Sequence, residues 1–180
     1  MVTLGPALAE WQEKDMEHLR YEYPLRPEDI VLDLGSYRRE FANEIHRRYG
    51  CYVECFDALD NRAAGTEDGE IEMGGQYYYT SAFEKSGNKS TYRCVNIAPF
   101  LNKEIALMKI NIEGAEYRIM SYILFMHLAK NVKNFQVQFH IVDGMDYEKA
   151  YADIAESLSE THELTWRVPF VWENWRRKDG

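Results

Sequence analysis

Ala106-Leu-Met-Lys-Ile-Asn-Ile-Glu-Gly-Ala-Glu-Tyr117 is an apolar strand that runs straight into a turn opened by Gly114 and edged with acids. A second such junction stands upstream, at Ile30-Val-Leu-Asp-Leu-Gly35. Two strand-to-helix turns roughly 80 residues apart predict one sheet that presents both at its carboxyl rim, where open α/β sheets bind small ligands.

Working outward, the order of elements predicts an α/β fold. Residues 1–25 read as an N-terminal helical extension, with a helix from Pro6 to about Tyr21 whose apolar set is Leu8, Trp11, Met16 and Leu19. Pro24 and Pro27 lead into a strand at Asp29–Leu34, apolar enough to be covered on both faces. A helix follows at Arg38–Tyr49, its C-terminal dipole met by His46, Arg47 and Arg48 and its end capped by Gly50. Cys51–Phe56 is the second strand. The polar, Gly-rich residues 60–75 read as loop, and Gln76–Phe83 and Thr91–Ile97 as strands. Then come a strand at Ile105–Ile112, a helix at Gly114–Lys130, a strand at Asn134–Val142 and a helix at Asp146–Ser159. Two last strands, Glu163–Val168 and Val171–Trp175, have no helix between them and should pair antiparallel. The alternation before them predicts a mostly parallel sheet with helices on both faces, in a single domain over 1–180.

Composition narrows the function classes. The chain has 180 residues, 46% of them hydrophobic and 14% aromatic, which suits one folded domain with a real core. A formal charge of −9 argues against a nucleic-acid backbone as partner. The one dense basic run, Arg176-Arg-Lys178, reads as a solvated end. No stretch reaches the roughly 18 apolar residues of a membrane span, and the start shows no basic-then-apolar signal pattern, with Glu10, Glu13, Asp15 and Glu17 arriving early. The 3 cysteines give no disulfide framework. Four strand steps place Cys51 and Cys55 roughly 13 Å apart, beyond the roughly 7 Å that a bridge spans. These features predict a reduced, cytoplasmic protein.

At the first turn, Gly35 lets backbone approach a ligand closely, and Ser36 begins the approach to a helix N-terminus with free N–H groups. Asp33 can accept hydrogen bonds from a ligand amine or from the turn itself. Asp57, closing the second strand, stands where an acid commonly accepts both ribose hydroxyls; a solvent-facing loop aspartate is the plainer alternative. Alternation along the later strand sends Lys109, Asn111 and Glu113 to one side, converging at the rim. Glu113 and Glu116 can equally serve to favour the helix N-terminus. His140 sits near the end of the next strand, where a near-neutral pKa suits proton removal from a substrate hydroxyl, although structural histidines also occupy such places. The glycines of a dinucleotide fingerprint would fall on Tyr37 and Glu40. Walker A, zinc-site and nucleophile-elbow patterns are all missing, so no metal is expected.

Val31-Leu-Asp-Leu-Gly35, Glu54-Cys-Phe-Asp57 and Met108-Lys-Ile-Asn-Ile-Glu-Gly-Ala-Glu116 together resemble the FkbM family of S-adenosylmethionine-dependent methyltransferases. The Lys-Ile-x-Ile-Glu-Gly-Ala-Glu run is the specific part, and the resemblance covers about residues 26–142 in matching order. It implies a Rossmann-like class I methyltransferase sheet of seven strands with the last inserted antiparallel. It further implies S-adenosylmethionine as cofactor and O-methylation of a hydroxyl on a sugar, glycan or natural product, with no metal. Asp33, Gly35 and Ser36 would then serve the methionine end of the cofactor and Asp57 its ribose. Asn111, Glu113 and His140 would lie near the transferred methyl, with His140 the first choice of base and Glu113 the second.

Three residues depart from the family pattern. Arg39 replaces a usual glycine, where its side chain either crowds the cofactor or pairs with its carboxylate. Asn111 replaces an aspartate, and Gln138 precedes the histidine where glutamate is frequent. They favour a second reading, a catalytically silent methyltransferase fold used as a binding or assembly module. A nicotinamide-dependent oxidoreductase is disfavoured by the missing glycines. The expected partner is a small-molecule or glycan acceptor, with Tyr77-Tyr-Tyr79 either touching it or straddling a half-exposed strand. Trp172 and Trp175 mark either the core or the face of a homodimer.

Overall fold

The computed structural model describes residues 1–57 and 96–178. The elements are β1 (Val2–Thr3), α1 (Leu8–Glu13), β2 (Ile30–Leu34), α2 (Glu40–Tyr49), β3 (Tyr52–Phe56), β4 (Leu107–Ile110), α3 (Glu116–Phe125), β5 (Asn134–Val137), β6 (Ile141–Val142), α4 (Tyr147–Ser159), β7 (His162–Val168) and β8 (Trp172–Arg177). Among the described residues the main sheet has 6 strands in the order β3-β2-β4-β5-β8-β7. The strands from β3 to β5 pair parallel, and β8 lies antiparallel between β5 and β7. The α/β class, the mostly parallel sheet and the antiparallel insertion therefore stand as expected. The expected 60–75 loop, the strand at Gln76–Phe83, most of that at Thr91–Ile97 and the run Tyr77-Tyr-Tyr79 lie outside the described residues.

Helices cover both faces, as the unbroken apolar runs of β2 and β4 require. On one side Leu32, Met108, Ile110, Phe135 and Val137 pack with Ile119, Met120 and Ile123 of α3 and Ile154 and Leu158 of α4. On the other, Val31 and Leu107 pack with Phe41 and Ile45 of α2. Gly50 ends α2 with φ 72°, its amide donating to the His46 carbonyl, the left-handed cap read from the sequence. Trp172 and Trp175 are both buried inside the chain. No helix among the described residues is long and apolar enough to cross a membrane.

Three expected elements are broken, each for a local reason. The expected Pro6–Tyr21 helix is α1 followed by a 3-10 turn at Met16–Arg20, divided because Asp15 takes φ 49°, and the 1–25 extension opens with β1. Trp11 and Met16 are five apart, which no helix face accommodates, and the left-handed residue resets the phase so that both pack with Val168 and Trp172. The helix from Gly114 is shorter, ending before His127 at φ 53°. The strand at Asn134–Val142 divides into β5 and β6, and β6 leaves the main sheet to pair antiparallel with β1.

A buried acid on β8 gives the fold a pH dependence. Glu173 accepts hydrogen bonds from Trp175 Nε1 at 2.6 Å and Tyr151 Oη at 3.0 Å, and Arg167 donates to the same Tyr151 oxygen at 2.9 Å. Burial pushes its carboxyl up from 4.5 to about 7, against the pull of these hydrogen bonds and of Arg167. Between those values the folded chain holds the proton more tightly than the unfolded chain, so stability falls as pH rises through that window. The fall is about 3 kcal/mol. Glu173→Gln removes the charge and keeps the shape, so urea midpoints should show the variant more stable than the parent at pH 8 but not at pH 4. Parallel curves for the two proteins would sink this account.

Candidate active site

The carboxyl ends of β2, β3 and β4 carry the first half of the site. Gly35 follows β2 with φ 81°, and a Cβ there would stand 1.6 Å from the Asn111 carbonyl oxygen. The turn thus presses on the β4 extension so closely that only glycine fits. The Gly35 and Ser36 amides both donate to the Phe56 carbonyl, at 2.7 and 3.1 Å. Asp57 accepts the Tyr37 amide at 2.5 Å. The loop from β2 into α2 is therefore braced by both neighbouring strands. Tyr37 and Arg39 also take positive φ, 44° and 60°, a backbone shaped for glycine at two positions that hold large side chains.

Asp33 is fully buried in β2, in register with Cys55 of β3 and Lys109 of β4. Lys109 Nζ lies 2.8 Å from Asp33 Oδ1 and donates a hydrogen bond to the Gly35 carbonyl at 2.7 Å. The ion pair is a charge contact without directed geometry, since neither Asp33 oxygen has a hydrogen-bond partner among the described residues. Asn111 Oδ1 is buried and unpartnered in the same sense. Lys109 therefore does not converge on the rim with Asn111 and Glu113; it is buried beneath Gly35. Beside the pair, burial and the Asp33 charge push the Cys55 thiol up to about 12, against Arg39, Lys109 and Ser36, so it stays protonated.

The second half of the site is built around His140. The strand ends at Ile110, and Glu113 takes φ 54°, so simple alternation does not extend to it. Glu116 is wholly buried and folds back over the turn, accepting the Ile112 amide at 2.7 Å and the Gly114 amide at 2.9 Å. Its Oε1 also accepts His140 Nδ1 at 3.0 Å. On the other side of the ring, His140 Nε2 stands 3.8 Å from Glu113 Oε2. The side chain of His140 is 4% exposed and that of Glu113 57%. Tyr117 Oη donates to the His140 carbonyl at 2.6 Å and fixes the backbone. Burial pulls the His140 pKa down, but the Glu116 hydrogen bond and the charges of Glu116 and Glu113 outweigh it, leaving it raised.

Of the residues singled out from sequence, Asp33, Gly35, Ser36, Asp57 and Asn111 come together around the first turn, while Glu113 and His140 meet one strand across. Gln138 is apart from them, donating to the Val171 carbonyl at 2.9 Å. Sequence reasoning missed Glu116 as the orienting partner of His140 and Lys109 as the counter-ion of Asp33. The second had a signal: one acid and one base, each alone in an apolar strand of a parallel sheet, leave each other as the natural partner. Among the described residues no cluster of His, Cys, Asp and Glu could hold a metal ion.

No family model and no curated protein matches this chain. A solved structure described as a ribosomal RNA methyltransferase, from Plasmodium falciparum, is similar to it at 10% identity over 97% of each chain, with a TM-score of 0.46. The sheet order, the antiparallel β8 and the helices on both faces make this a mixed α/β fold with a mostly parallel central sheet.

Proposed function

We propose that the chain is an S-adenosylmethionine-dependent methyltransferase acting on a hydroxyl of a sugar, glycan or natural product. The observation that carries the reading is one rim holding two complementary halves. A glycine turn that excludes any side chain stands between Asp33 and Asp57, and an acid–histidine–acid relay stands one strand across. The first half suits a nucleoside cofactor with an amino-acid end: Asn111 Oδ1 is buried with no hydrogen-bond partner among the described residues, and Asp57 closes the strand next to the glycine turn, where an acid commonly accepts ribose hydroxyls. S-adenosylmethionine supplies a methyl group on a sulfonium, and the resemblance of the Lys109–Glu116 run to FkbM methyltransferases supports that choice.

The second half suits removal of the acceptor's proton. Glu113 is the member that reaches solvent, so its carboxylate is the group that would meet an acceptor hydroxyl and take its proton. His140, held by Glu116 on its far side and biased towards its charged form, steadies Glu113 from behind. The formal charge of −9 supports a neutral small acceptor over a polyanion. Tyr37 and Arg39 in glycine-shaped positions favour the second reading, a module that binds without transferring.

Calorimetric titration of the purified chain with S-adenosylmethionine and with S-adenosylhomocysteine should show saturable binding of both. Asp57→Asn keeps an acceptor for the Tyr37 amide but loses a ribose acceptor, and should weaken both ligands about 10-fold. Glu113→Gln should leave binding intact and abolish methyl transfer to glycan acceptors. A folded protein that binds neither ligand would overturn the proposal; binding with no transfer to any acceptor would favour the module.

A further inference from the structure

The turn that carries Glu113 is gripped from two sides. From within, Glu116 accepts the Ile112 and Gly114 amides and, with the same carboxylate, His140 Nδ1. From outside, the turn meets Val142 of β6 and Val2 of β1. A Cβ on Gly114 would stand 2.9 Å from Val142 Cγ2, and 3.8 and 3.9 Å from the two Val2 methyl carbons, so the valines close over a position without a side chain. β6 starts at the residue after His140, and among the described residues it pairs with β1 and with no other strand. β1 therefore touches the chain beside both members of the relay. Thr3 is in register with Ile141, next to His140, and Val2 lies against Gly114, next to Glu113. Two residues of pairing hold little by themselves, but the segment is tied beyond each end of β1. The Met1 carbonyl accepts the Asp143 amide at 3.0 Å, and the buried Gly5 donates to the Phe170 carbonyl at 2.7 Å, in the turn between β7 and β8. A Cβ on Gly5 would stand 2.5 Å from the Pro169 carbonyl oxygen. Glu113 itself takes φ 54°, a backbone that a residue with a side chain keeps only where its surroundings fix it.

We infer that β1 is a strap that holds the Glu113 turn against His140, with Val2 and Thr3 as positioning residues for the relay. That role rests on the proposed function and deepens it. Its test follows the His140 ring by NMR as pH is varied, the signals being assigned by their loss in His140→Gln. The Glu113 charge helps to raise the His140 pKa, so Glu113→Gln should lower the titration midpoint in the parent chain. Thr3→Pro strips an amide from the β1–β6 ladder, and in that background Glu113→Gln should lose most of its effect. Val2→Ala keeps every ladder amide and removes the contact over Gly114; there the effect should be lost in part. Thr3→Pro should also slow methyl transfer about 100-fold and leave S-adenosylhomocysteine affinity unchanged, because the cofactor half of the rim lies on other strand ends. No shift in the parent, or an undiminished shift in both backgrounds, overturns the strap. The NMR shift needs no ligand, so it decides the strap separately: a parent chain that binds no cofactor would sink the methyltransferase reading alone.

Discussion

Gly35→Ala is expected to cost about 4 kcal/mol or more, enough to leave little folded protein. The added methyl would stand 1.6 Å from the Asn111 carbonyl oxygen and 2.7 Å from its carbon, both of them main chain in the extension of β4. Neither can move without parting β2 from β4, since the Asn111 amide is itself bonded to the Leu34 carbonyl at 2.9 Å. The φ of 81° adds strain for any L side chain. Urea denaturation followed by far-UV circular dichroism reads the effect directly. A midpoint within experimental error of the parent would mean that the turn is not packed as described.

Lys109→Met should cost about 3–5 kcal/mol, because it leaves the buried Asp33 carboxylate facing an apolar neighbour and frees the Gly35 carbonyl as well. The chain length of the side chain is nearly kept, so the loss reports charge and not a cavity. Adding Asp33→Asn to this variant removes the stranded charge, and the double variant should recover much of the loss. Urea midpoints of the two single variants and the double variant close the cycle. Additive losses would show that the two residues do not act as a pair.

Much of this architecture was legible because its signals are local. The apolar runs at β2 and β4 need cover on both faces, the glycines at 35 and 50 sit where the backbone turns left-handed, and β7 and β8 follow each other too closely for a crossover. What was not legible depends on contacts between distant segments. Nothing near Asn134–Val142 announces that β6 will leave the main sheet, since its partner is β1. Glu116 reads as one more acid at a helix N-terminus, and only the fold brings His140 to it. Burial, likewise, is invisible to spacing: nothing around positions 113 and 140 tells that the Glu113 side chain is exposed and the His140 side chain buried. The positive φ at Tyr37 runs against residue preference and has no signal in the sequence, whereas at Arg39 the resemblance already pointed to a position usually held by glycine.

The placement of β8 bears on how the chain is made. β5 and β7 both precede it in the sequence, yet neither touches the other in the sheet; β8 lies between them. A nascent polypeptide that has emerged only as far as Val168 therefore holds β7 with no partner and β5 with one edge bare. Those two strands run in the same direction, so pairing them directly is possible but wrong, and the error has to be undone before β8 can enter. The sheet is closed last at an inner position and not at its rim, so its completion waits until Trp172–Arg177 have emerged. During that interval the bare edges of β5 and β7 are open to mispairing.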